Sequence, residues 1–137
     1  MIGVILSSQR VTPELSIDFG DISPAEIPIA NQPLINFQFN ALSYLCNKVY
    51  VTVRKDYVNK IQTNDKYIKI PISEDLKLVD LILYILKKFK NDDILILYGD
   101  TLVEYPKNIK FSSPMIFATK DIKIQYPNWF ELQKNLF

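Results

Sequence analysis

A chain of 137 residues with 48% hydrophobic and 23% charged residues is long enough for one domain with a real core and short for two. Its 16 Lys and Arg against 15 Asp and Glu leave a net charge of +1, so no field of one sign gathers nucleic acid or anionic lipid. The absence of histidine removes Ser-His-Asp and Cys-His triads and His-containing zinc sites, the single Cys46 removes an internal disulfide, and glycines at 3, 20 and 99 form neither a dinucleotide turn nor a P-loop.

In chain order, Ile2–Leu6 is a short apolar β-branched run with no preceding charge, which reads as a first strand and not as a secretory signal. Residues 8–32 then separate it from the next periodic segment by far more than the usual two to six residues of a βα connection. Such a loop is either functional or an ordered surface Ω-loop. Pro33–Leu45 places Leu34, Phe37 or Gln38, Ala41 or Leu42, and Leu45 on one helical stripe, with Asn31 as N-cap and Pro33 in the first turn. Cys46, at the end of that pattern, reads as a small core residue. Lys48–Arg54 is a second strand and Lys55–Lys66 a polar connection. Tyr67–Ile72 is an edge strand, because Pro71 cannot donate to a central ladder.

A helix over Glu74–Lys90 follows, with Ser73 as cap, acidic residues at its start and Lys87, Lys88 and Lys90 at its end; its mostly apolar sides predict thorough covering. Asp93–Tyr98 is a third buried strand, Met115–Thr119 a further one, and Pro127–Leu136 a last helix. Strands alternating with helices imply a three-layer, Rossmann-like α/β fold: a mainly parallel sheet with helices on both faces, built as a single domain over 1–137. The apolar runs fall short of a membrane span, and the free cysteine favours the cytoplasm. Trp129, Phe130, Leu132, Leu136 and Phe137 crowd the C-terminal end with apolar surface, which suits a protein partner or a further domain.

In an open α/β sheet, ligands bind beyond the carboxyl ends of the strands. Ser7, Ser8, Gln9 and Arg10 follow the first strand, and Asp100 follows the strand ending at Tyr98. These residues are the candidates for binding phosphate or metal. Their alternative roles are capping of the loop start and a turn after Gly99.

Ile5-Leu-Ser-Ser8, Pro24-Ala-Glu-Ile-Pro-Ile-Ala-Asn-Gln-Pro-Leu-Ile35, the helix after it, Val49–Val53 and Leu97-Tyr-Gly-Asp100 together resemble the sugar-nucleotide nucleotidyltransferases. In that family a first strand enters a glycine-rich loop ending in Arg, a Pro-Lys pair follows, and a phrase close to Ile27–Ile35 opens a helix. The resemblance covers roughly residues 2–104. It implies a nucleotidyltransferase-like fold, nucleotide phosphates near Ser7–Arg10, and a catalytic Mg²⁺ on Asp100. It also implies nucleotide or sugar-phosphate ligands and work on bacterial surface polysaccharide precursors.

The departures fall at the site. Ser7-Ser-Gln-Arg10 stands where the glycine-rich loop would be, and its side chains crowd the phosphates that backbone N–H groups would approach. Pro24-Ala25 stands where Pro-Lys would be, which removes a cation from the transferring phosphoryl group unless Arg10 replaces it. The length leaves little room for a second metal-binding Asp, so Mg²⁺ should be held weakly. The expected function is a degenerate nucleotidyltransferase-like domain with weak or absent catalysis. The alternatives are an active Mg²⁺-dependent nucleotidyltransferase acting on a sugar phosphate or similar phosphorylated alcohol, and a noncatalytic docking or regulatory α/β module.

Overall fold

The structure, a computed structural model, describes residues 1–60, 66–73, 76–105 and 108–111. The chain divides into two units, Met1–Tyr105 and Pro106–Phe137, and the architecture here is that of the first. The strand expected at Met115–Thr119 and the helix expected at Pro127–Leu136 lie outside the described residues. In chain order the elements are β1 (Ile2–Leu6), α1 (Pro13–Phe19), a 3-10 turn (Pro24–Glu26), β2 (Pro28–Ile29), β3 (Gln32–Pro33), α2 (Leu34–Ser43), β4 (Lys48–Arg54), β5 (Ile68–Ile72), α3 (Leu78–Lys88) and β6 (Ile94–Tyr98).

Four strands form an all-parallel sheet in the order β5-β4-β1-β6. Every residue of β1 is buried, as expected for a central strand covered on both faces. Its alternate side chains go to opposite layers. Ile2, Val4 and Leu6 pack with Ile70 and Ile72 of β5 against Leu81 and Ile85 of α3. Gly3 faces the other way: a Cβ there would meet Leu42 Cδ1 at 3.1 Å and Cys46 Sγ at 3.3 Å, so the glycine admits α2 close to the sheet. Cys46 is buried and its thiol pKa is pushed up by desolvation, in keeping with a core role. Burial of Leu81 and Ile85 is worth about 1.5–3 kcal/mol each. β5 takes the sheet edge, the place a strand proline such as Pro71 tolerates.

Several sequence expectations are corrected here. Asn31 does not cap α2. Ala30 and Asn31 have φ of 47° and 62° and form the two-residue turn between β2 and β3, whose primed geometry needs left-handed residues at both positions. α2 therefore starts at Leu34, after Pro33 has finished pairing with Pro28. Of the stripe alternatives, Gln38 and Leu42 are the buried ones. α3 begins at Leu78, not Glu74, with Lys77 at its N-cap, whose side chain makes no capping hydrogen bond. Nor is α3 covered on all sides. Val79, Leu83 and Leu86 are 66%, 48% and 45% exposed, because a helix in an outer layer buries only the stripe that meets the sheet. The loop over 8–32 is largely ordered as α1, the 3-10 turn and the hairpin.

Of the three glycines, Gly99, just past β6, is the one at which another backbone comes closest. Its N–H donates to Leu6 O at 2.9 Å, and a Cβ there would lie 2.6 Å from that same carbonyl oxygen and 3.0 Å from Ser7 Cβ. Both obstacles belong to a buried central strand end. Gly99→Ala should destabilise the fold by about 1–3 kcal/mol through overpacking. Gly3→Ala, which meets only side-chain atoms, should cost less; urea denaturation of the two variants checks the order.

Candidate functional site

The parallel register sets Leu6 beside Tyr98, so β1 and β6 end together and release Ser7–Arg10 and Gly99–Asp100 at one edge. From β1 the chain steps to β4 on one side, while β6 lies on the other. This is the topological switch point at which open α/β sheets bind ligands. A cavity of about 480 Å³ opens there, lined by Leu6, Ser8, Gln9, Arg10, Pro24, Lys77, Leu78, Leu81, Tyr98, Gly99 and Asp100. A second groove, of about 430 Å³, is lined by Tyr50, Ile68, Lys69, Tyr84, Lys88 and neighbouring residues. It runs along the edge strand β5 from Ile68 to Pro71 and has no acidic or hydroxyl-bearing aliphatic side chain among its lining residues.

Four of the five sequence candidates, Ser8, Gln9, Arg10 and Asp100, are brought together in the first cavity. Ser7 is not. Its N–H donates to Thr52 Oγ1 at 2.9 Å and its Oγ accepts the Ala25 N–H at 2.9 Å, so a fully buried serine ties the 3-10 turn to the end of β1. Ser8 is only 2% exposed and its hydroxyl has no hydrogen-bond partner. Gln9 reaches across to Leu76 O at 3.5 Å. Asp100 is exposed, and its Oδ1 accepts a hydrogen bond from Thr101 Oγ1 at 3.1 Å within a turn closed by Thr101 N–H on Tyr98 O.

Two residues that sequence reasoning did not single out as site residues hold this arrangement. Gln38 projects from α2 under the turn after β6, and its amide nitrogen lies 3.0, 2.9 and 2.8 Å from the carbonyls of Tyr98, Gly99 and Thr101. A glutamine on an otherwise apolar helical stripe is the signal that could have marked it. Arg54, the last residue of β4, is fully buried. Its Nη2 donates to both Asp21 oxygens at 2.9 Å, its Nε reaches Asp56 Oδ1 at 3.3 Å, and its guanidinium stacks 4.9 Å from the Tyr57 ring centre. The Arg54 Nη1 has no partner.

Arg10 belongs to the same network, with Nη1 on Asp21 Oδ1 at 2.7 Å and Nη2 3.6 Å from Asp56 Oδ2. Two arginines face two carboxylates. Arg10 thus lines the cavity while its guanidinium is paired with Asp21 and Asp56. Desolvation raises the Asp21 pKa, but hydrogen bonds from Arg54 and then Arg10, with their charges, outweigh it and hold the carboxyl below its usual range. The Tyr57 phenol is pushed up to about 12 by burial, then by the charge and hydrogen bond of Glu26 and the charge of Asp21, against the lowering effect of Arg54.

Mg²⁺ asks for near-octahedral oxygen ligands. Asp100 is the one acidic residue lining the cavity, and among the described residues no three His, Cys, Asp or Glu side chains converge. The residues present do not fit a resident Mg²⁺, and no chemical step is routed through one. Among the described residues no helix is long and apolar enough to cross a membrane.

Neither a protein-family model nor a curated protein sequence matches the chain. Among solved structures it is similar to a nucleotidyl transferase from Methanothermobacter thermautotroptrophicus, with a TM-score of 0.52 and 15% sequence identity over 72% of this chain and 50% of that one. At that identity the likeness establishes the fold, and the fold is nucleotidyltransferase-like. The chain spans about half the length of this neighbour.

The depressed Asp21 pKa has a definite sign. A carboxyl lowered in the folded state contributes stability above its unfolded value, and that contribution is lost as pH falls through the folded value. The stability difference between the native chain and Asp21→Asn should therefore be full above the unfolded pKa of 3.8 and shrink as pH falls below it. Urea titrations from pH 6 down to about pH 2.5 measure it; a difference that grows on acidification would contradict the assignment.

Proposed function

We propose that this chain is a degenerate nucleotidyltransferase-like domain whose switch-point cavity binds a nucleotide or a sugar phosphate with weak or absent catalysis. The observation that carries the reading is the wall made by Ser8, Gln9 and Arg10, where backbone N–H groups would have to cradle phosphates. Bulk side chains occupy that wall, and its one cation is neutralised by Asp21 and Asp56. The second catalytic cation of the resembled family has no counterpart at Ala25, which is buried and held through its N–H by Ser7. What remains is recognition: an unpaired Ser8 hydroxyl, a Gln9 amide, an Asp100 carboxylate and apolar surface from Leu6, Leu78 and Leu81. We place the domain in surface polysaccharide precursor synthesis in the cytoplasm on the strength of the sequence phrase at Ile27–Ile35.

An active Mg²⁺-dependent enzyme is the second reading, favoured by the position of Asp100 beside the end of β1. Calorimetry with nucleoside triphosphates, sugar phosphates and nucleotide sugars, each with and without Mg²⁺, separates the two. Binding is expected without pyrophosphate release at ordinary enzyme rates of about 1 per second. Ala25→Lys should not restore activity, because the added chain would have to be buried where the 3-10 turn meets β1, and it should lower the melting temperature. Turnover at ordinary rates by the native chain would overturn the proposal.

A further inference from the structure

α3 carries more apolar surface than its sheet uses. At about 100° per residue, Leu81 and Ile85 turn to the sheet, while Val79, Leu83 and Leu86 fall within about 60° of one another on the far side and stay exposed. Single exposed hydrophobics need no explanation, but these three are spaced i, i+4, i+7, the repeat of a helix–helix seam. None of them lines the switch-point cavity. The charges beside the seam say what covers it, because Asp80 and Lys87 lie on one flank, each roughly 80–100° round from Val79, one near each end of α3. Neither makes an ion pair among the described residues. The positions three and four away from Lys87 hold Leu83, Tyr84, Lys90 and Asn91, none of them acidic, so its own helix offers it no counter-charge.

We propose that this face is the interface of a homodimer, with α3 packed antiparallel on the α3 of a second copy about a two-fold axis at Leu83. Such an axis, perpendicular to both helices, keeps each flank on its own side while reversing the chain direction, so Asp80 of each copy meets Lys87 of the other. Two ion pairs form by symmetry. Val79 then faces Leu86 of the second copy, and Leu83 faces its own counterpart. In a parallel pair the charged flank would instead meet the opposite flank, where Ile82 and Phe89 stand, and neither charge would be answered. Charge complementarity therefore selects both the partner and the direction. The layers stack as sheet, α3, α3, sheet, which buries the side of the helix that each copy leaves uncovered. An 11-residue helix is about 16 Å long, so the interface falls below the roughly 800 Å² per partner of a standard one, and the dimer is weak, with Kd of about 10–500 μM.

The test is sedimentation velocity on the full chain from about 5 μM to about 1 mM, where a reversible monomer–dimer equilibrium is expected. Leu83→Lys sets two like charges against each other at the axis and should weaken the dimer more than about 10-fold. Asp80→Lys and Lys87→Asp, each alone, turn both ion pairs into repulsions and should weaken it roughly 5- to 20-fold. An equimolar mixture of those two variants should dimerise with near-native strength, because each copy then offers the charges that the other lacks. All three residues are exposed, and circular dichroism should show every variant folded. A chain that stays monomeric to the top of the concentration range overturns the proposal, the face then serving a different partner. A dimer indifferent to Leu83→Lys overturns it as well, because the contact then lies on another face. Charge variants that the mixture does not rescue overturn the antiparallel pairing from which the dimer is argued.

Discussion

The meeting of β6 with β1 at Gly99 is the contact on which the rest of the molecule depends. A parallel pair can end flush only if nothing on the outgoing strand collides with the carbonyl of its neighbour, and here the clearance for a Cβ is 2.6 Å. With glycine in place, Gly99 extends the ladder by one bond to Leu6, and the turn that carries Asp100 begins directly above the end of the central strand. Gln38 then gathers the carbonyls of Tyr98, Gly99 and Thr101 from below. Tyr98 O also accepts the Thr101 N–H, so the amide adds most where the backbone supplies no donor, at the buried Gly99 carbonyl, whose desolvation would otherwise cost about 1–3 kcal/mol. The cavity edge is therefore rigid on its β6 side, and its shape follows from one missing side chain and one buried amide.

The opposite edge is held by charge. Arg54 arrives at the end of β4 with no exposure, a position an arginine can occupy only when carboxylates meet it. Asp21 and Asp56 do so, and Asp21 in turn holds Arg10. Together with the Ser7 link to Ala25, this network fastens the long segment after β1 over the sheet. The same ties that order the segment bury Ser7 and pair Arg10 with carboxylates.

Much of the fold was legible because it depends on local pattern. The β-branched runs of β1, β4 and β6 are bounded by polar residues and separated by lengths that force parallel pairing, and the edge placement of β5 follows from the missing N–H of Pro71. The boundaries of α2 and α3 were not legible. Asn31 is as good a helix cap as it is a left-handed turn residue, and only the pairing of Gln32 and Pro33 with Ile29 and Pro28 decides between them. Ser73 has cap chemistry, yet α3 starts beyond it with a lysine at its N-cap. At the site, Ser8, Gln9, Arg10 and Asp100 could be placed by the rule that ligands gather at strand ends. Gln38 left a trace as a glutamine on an otherwise apolar stripe, but its partners 60 to 63 residues on, like the Arg54–Asp21 pair 33 residues apart, leave no record in a single sequence.

The fold is nucleotidyltransferase-like, and we propose that the cavity at its β1–β6 switch point binds phosphorylated ligands. The most direct measurement is amide chemical-shift mapping by NMR during titration with a nucleotide sugar. The account predicts perturbations concentrated at Ser8–Arg10, Lys77–Leu81 and Gly99–Thr101, with the edge groove around Tyr50, Ile68 and Phe89 silent. Perturbations centred on that groove, with the β1–β6 edge unmoved, would contradict it.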